Sequence, residues 1–205
     1  VPSAASNVLV GANGTMDLVS SFALPLNNLG LVAGGAMTID NAVTAKNFTA
    51  VASTIGGIGS IVASNDAILI GTSAINIGSG ISVQGANVFL GGGTLNLMGA
   101  SVTATAGNVE FNVGSVNGTG GFISASHDII GIASGNITLD GSSYFMAGND
   151  VSLTLTGAAS TIALSNGAYV LATNPNSINL GCSGRTSGGI LIDGKETTTT
   201  VVGGS

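Results

Sequence analysis

Ile81-Ser82-Val83, Gly85-Ala86-Asn87, Val88-Phe89-Leu90, the glycines 91–93 and Leu95-Asn96-Leu97 form short apolar pieces joined by small residues. The scheme then starts again with Val102-Thr103-Ala104, Ala106-Gly107-Asn108 and Val109-Glu110-Phe111-Asn112-Val113. Each piece alternates apolar and polar residues as a half-buried strand does, and none reaches the roughly 10–12 residues of a helix. Asn, Gly, Asp and Ser fill the joints, where φ > 0 and Asx-turns are tolerated.

Outward from this stretch the same phrase recurs: a small residue, Gly or Ser, then Asn or a stand-in, then a β-run. Asn65, Asn87, Asn108, His127 and Asn149 occupy its third position, at spacings of 22, 21, 19 and 22 residues. A period near 21 with about three short strands describes one coil of a parallel β-solenoid. A lone coil cannot bury its apolar side chains, whereas coils stacked ~4.8 Å apart share a core. The expectation is an all-β chain, a single-stranded right-handed parallel β-helix of nine or ten coils, forming a rod about 45 Å long. The five anchor residues should stack as a turn ladder. Asn13, Gly35 and Asn47 sit in similar phrases but at spacings of 22, 12 and 18. Residues 1–205 therefore read as one domain, with irregular first coils over 1–60, regular coils over 60–170 and looser coils and a tail over 171–205.

The 205 residues include only 3 Lys+Arg and 9 Asp+Glu, a net charge of −6, while 44% are hydrophobic. So few cations leave no electrostatic footprint for nucleic acid or an anionic membrane surface. Disordered chains are charged and apolar-poor, which excludes disorder. The 34 glycines lack the every-third-residue spacing of collagen. No apolar run is long enough to span a bilayer as a helix. The runs are half the ~9–11 residues of an outer-membrane barrel strand, and aromatic girdles are missing. The start, Val1-Pro2-Ser3-Ala4-Ala5-Ser6, lacks the regions of a signal peptide, so any such peptide is expected to be already removed. The lone Cys182 cannot form an internal disulfide.

Across residues 60–170 the repeat resembles the haemagglutinin-type repeats of the filamentous haemagglutinin family of two-partner secretion adhesins, which share the small-Gly-Asn-Asp turn before an alternating strand. Asn174-Pro175-Asn176-Ser177-Ile178 is similar to that family's Asn-Pro-Asn-Gly-Ile motif, with Ser in the fourth place and a position after the repeats. The resemblance implies a right-handed β-helix, export across the outer membrane, and a shaft or adhesive surface without catalytic residues.

Candidate chemistry is sparse. Asp66, Asp128 and Asp150 follow the anchor position, where a cation could separate stacked carboxylates. The Gly-Gly-x-Gly-x-Asp calcium repeat is absent, so they read as turn residues serving their own backbone, with no metal. Asp40, Asp140 and Asp193, after Ile or Leu at strand ends, read the same way. His127 is the only histidine and has no partner for a His-based site. Lys46, Arg185 and Lys195 are scattered, and nothing nominates a catalytic pair of carboxylates. No enzyme activity and no cofactor are expected. The four sequons, at Asn13, Asn47, Asn117 and Asn136, match what 19 Asn and 44 Ser+Thr produce by chance.

Ile68-Leu69-Ile70 and Tyr144-Phe145-Met146 are apolar three in a row, so strand alternation must turn at least one of each outward. Leu69 and Phe145 are the candidate outward contacts. Strand-like Ser6-Asn7-Val8-Leu9-Val10 and Gly189-Ile190-Leu191-Ile192-Asp193 carry no helical cap, proline or lysine cluster, which makes Val8, Val10, Ile190 and Ile192 candidate assembly ends. The functional expectation is an extracellular or cell-surface structural protein. It is either a head-to-tail homopolymer subunit or a segment of a longer solenoid, with a surface glycan or protein as partner. A carbohydrate-binding or polysaccharide-cleaving β-helix is the alternative.

Overall fold

The computed structural model describes residues 6–19, 26–57, 59–173, 178–182 and 190–193. Their twenty strands pair in parallel into one continuous sheet, and no helix occurs among them. The sheet winds as a β-solenoid of about eight turns with about 21 residues per turn. Three faces follow one another along the chain. Face A stacks nine rungs, beginning with Asn7–Ala12 and Leu26–Ala33 and ending with Val151–Leu155 and Ile178–Cys182. Face B runs from Met16–Leu18 to Ile190–Asp193. Face C includes Ile61–Ala63, Ser82–Gly85, Ser101–Ala104, Phe122–Ala125, Tyr144–Ala147 and Tyr169–Ala172. Nine rungs enclose eight steps, slightly fewer turns than the expected nine or ten.

The strands of the middle coils are longer than the sequence suggests. Asn87–Met98 and Val43–Gly57 run 12 and 15 residues, passing from face A to face B without a break. Val43–Gly57 turns this corner through Ala52 and Ser53, whereas Asn87–Met98 uses glycines 91–93. Gly92 has φ +119°, and a Cβ there would stand 2.1 Å from the Gly71 carbonyl oxygen of the neighbouring coil. At Gly93 it would meet the Ser73 carbonyl at 1.9 Å. At these two positions the neighbouring backbone leaves no room for a side chain.

The expected irregularity over residues 1–60 is not seen in the described rungs of face A. Asn7 pairs with Asn28 and Asn28 with Asn47, so face A keeps register from its first rung. The longer coils lie at the other end, where Val151 pairs with Ile178 and Ile162 with Ile190.

Inward residues form columns. Val10, Leu31, Ala50, Leu69, Leu90, Phe111, Gly131, Leu153 and Leu180 make one on face A. Large and small residues compensate within it: Phe111 Cζ lies 2.1 Å from where a Gly131 Cβ would stand. The Phe111 ring also meets Phe145 of face C edge-on, centroids 5.9 Å apart. On face C the residues Ala45, Ala63, Gly85, Ala104, Ala125, Ala147 and Ala172 give a column of minimal side chains beside the corner into face A. Because the Phe111 ring fills the space at Gly131, Gly131→Ala overpacks the core and should destabilise by about 1–3 kcal/mol. Chemical unfolding of that variant checks this, and an unchanged midpoint would refute the packing argument.

Candidate functional site

Asn7, Asn28, Asn47, Asp66, Asn87, Asn108, Asp128 and Asp150 fall at one outward position of face A. Short polar side chains there reach the adjacent coil. Asn28 Nδ2 donates to Asn7 Oδ1 at 2.6 Å, Asn47 Nδ2 to Asn28 Oδ1 at 2.7 Å and Asn87 Nδ2 to Asp66 Oδ1 at 3.0 Å. Further along, the side-chain oxygen accepts a backbone N–H of the next coil. Asn108 N–H donates to Asn87 Oδ1 at 3.2 Å, Asp128 N–H to Asn108 Oδ1 at 3.1 Å and Asp150 N–H to Asp128 Oδ1 at 3.2 Å.

This ladder corrects the expected one. Asn87 and Asn108 belong to it, but Asn65, His127 and Asn149 precede it by one residue. They sit in the corner, where the backbone N–H of Asn65 donates to Lys46 O, of His127 to Gly107 O and of Asn149 to His127 O. The expectation that the turn aspartates serve their own backbone is also corrected, because Asp66 and Asp128 accept bonds from the following coil. Among the described residues, no three His, Cys, Asp or Glu side chains converge as a metal site.

A second ladder, Asn76–Asn96–Asn117, runs along face B with amide bonds of 2.7 and 2.9 Å. Asp140 ends a face B strand and accepts bonds from Asn166 Nδ2 at 2.6 Å and Ser165 Oγ at 2.9 Å. Those bonds, Asn166 first, hold its carboxyl below the usual range.

Leu69 and Phe145 are not outward contacts: they are 1% and 0% exposed, in core columns. Alternation puts the middle residue of each apolar triplet inside and turns its neighbours out. Ile68 and Ile70 therefore face outward on face A, in the same two columns as the exposed Val32, Ile130 and Ile132. On face C, Phe122, Tyr144 and Tyr169 stand outward as a stack, with centroids 4.9 and 5.0 Å apart and planes within 3° and 7°. Their outward place depends on phase along the strand, which the apolar triplets alone do not give.

At the first rung, Val8 and Val10 sit above Leu29 and Leu31 in the inward columns. Leu29 and Leu31 are 1% and 0% exposed, whereas Val10 is 38% and its outward neighbour Leu9 76% exposed. Ile190 and Ile192 pair with Ile162 and Leu164 on face B.

The class defined by this architecture is a parallel β-solenoid held by Asn/Asp ladders. No family model, curated protein or solved structure matches the chain.

Asn108→Ala leaves the Asp128 N–H without its acceptor and should cost about 1 kcal/mol. His127→Ala, outside the ladder, should change stability by less than about 0.5 kcal/mol. Equal losses in parallel denaturant titrations would count against the ladder assignment. The Tyr144 phenol is held above its ordinary value of 10.0, first by partial burial and then by the adjacent Tyr169. With the folded value the higher, the contribution is present below the ordinary phenol range and is lost as pH rises through the folded value. Tyr144→Phe should blunt the alkaline fall in melting temperature, and an unchanged profile would show that other groups cause it.

Proposed function

We propose that the chain is a structural β-helical subunit of an extracellular filament or adhesin, built by end-to-end stacking of coils. One observation carries this reading: the rung Asn7–Ala12 continues the inward columns and the polar ladder of face A, yet leaves Val10 uncovered. A further coil laid on it would bury that apolar surface and pair the backbone groups of an edge strand. The resemblance to filamentous haemagglutinin repeats supports the same role. In a longer native polypeptide, the covering coil would come from the same chain.

Sedimentation and negative-stain microscopy over a concentration series test the proposal. The expected result is rods that lengthen with concentration in the unaltered chain and stay single in Val10→Asp, which places a charge at the junction while leaving the interior coils intact. Single rods at every concentration, or filaments indifferent to the substitution, would refute end-to-end assembly through this rung.

A further inference from the structure

Midway along face A, Asp66, Ile68, Asn87, Phe89, Asn108 and Glu110 surround a shallow surface cavity of about 150 Å³. Its floor is made by register. Ile68, Phe89 and Glu110 are successive members of one outward column, and the polar ladder runs beside them. Phe89 differs from the aromatics of face C. Its ring leans along its own strand over Gly91, with Cε1 2.9 Å and Cζ 3.4 Å from where a Cβ would stand. The rings of Phe122, Tyr144 and Tyr169 spend their faces on one another. Phe89 has neither register neighbour aromatic, since Ile68 and Glu110 flank it.

The polar rim has unused capacity. Glu110 has no hydrogen-bond or ion-pair partner among the described residues, and none is assigned to the Asn108 amide Nδ2, although its Oδ1 is engaged. Asp66 uses Oδ1 for Asn87 and leaves Oδ2 open. An aromatic surface with two carboxylate acceptors and one amide donor around it suits a ligand with an apolar C–H face and hydroxyls on its edge. No Lys or Arg lines the cavity, so an anionic sugar would meet two uncompensated carboxylates. At half or less of the roughly 300 Å³ where drug-sized pockets begin, the cavity accommodates one ring.

We propose that this cavity binds a single neutral hexopyranose unit of a glycan, with the Phe89 ring against its C–H face and Asp66, Asn108 and Glu110 on its hydroxyls. The site rests on the fold alone and does not depend on filament assembly, so either idea can fail while the other stands.

Saturation-transfer NMR with the methyl glycosides of glucose, galactose and mannose, and with glucuronate as the anionic control, tests it. At least one neutral glycoside should receive saturation and shift the Asn87 and Asn108 side-chain amide signals, while glucuronate does neither. Phe89→Ala should weaken that binding about two- to tenfold, the change expected when a stacked ring is lost. Glu110→Ala, at an exposed side chain without partners, should weaken it in a fold shown intact by circular dichroism. Phe122→Ala should leave it unchanged. Absence of transfer from all three neutral glycosides at millimolar concentration overturns the proposal. So does binding that survives both Phe89→Ala and Glu110→Ala, or shifts confined to another face.

Discussion

Parallel stacking in register governs this molecule: each strand residue must tolerate a near-equivalent neighbour about 4.8 Å above and below it. Backbone groups gain by that repetition, because every coil satisfies the next. Side chains are sorted by it. Two like charges at this separation repel by about 1 kcal/mol even in water, and a charged column would multiply the cost. Only 6% of the chain is charged, and the repeat uses Asn where an ordinary surface would use Glu or Lys. An amide donates on one side and accepts on the other, so it can be stacked indefinitely. Asp66 lies against Asn87, whose amide answers its carboxylate. Asp128 beside Asp150 is the exception, tolerated where one carboxylate accepts the other residue's backbone N–H.

The period, the absence of helix and the parallel stacking were legible in the sequence, because alternation and spacing depend on chain-local geometry. Phase was not. Between the small-residue column of face C and the ladder of face A the corner takes a variable number of residues: Ala45 to Asn47, Ala63 to Asp66, Ala104 to Asn108. A phrase aligned on its asparagines therefore reaches the ladder at Asn87 and Asn108 but stops one residue short of Asp66, Asp128 and Asp150. That slip put Asn65, His127 and Asn149 on the ladder and hid Asn7 and Asn28. The same ignorance of phase sent Leu69 and Phe145 outward. In a strand, a shift of one residue exchanges the two faces.

Function on such a scaffold resides where a column changes character. Phe122, Tyr144 and Tyr169 are aromatic over three consecutive coils and use their ring faces on one another. Phe89 interrupts an otherwise mixed column, and Gly91 beside it gives the ring space to lean over the sheet. The two arrangements use the same residue type on the same repeat. They differ only in what the neighbouring coil supplies at that position.

The ladder also has a direction. Where amide bonds to amide, as from Asn28 to Asn7 and from Asn47 to Asn28, the Nδ2 donor points toward the earlier coil. Where a side chain meets backbone, as from Asn87 to Asn108 and from Asn108 to Asp128, the oxygen accepts from the later coil. Both kinds run the same way: donors face the N-terminal end and acceptors the C-terminal end. Asn7 already accepts bonds from Asn27 and Asn28, which leaves its amide donor as the group to offer an added coil. A second copy placed head to head would set donor against donor. The described ladder keeps one orientation at each of its bonded steps, so its two ends are unlike.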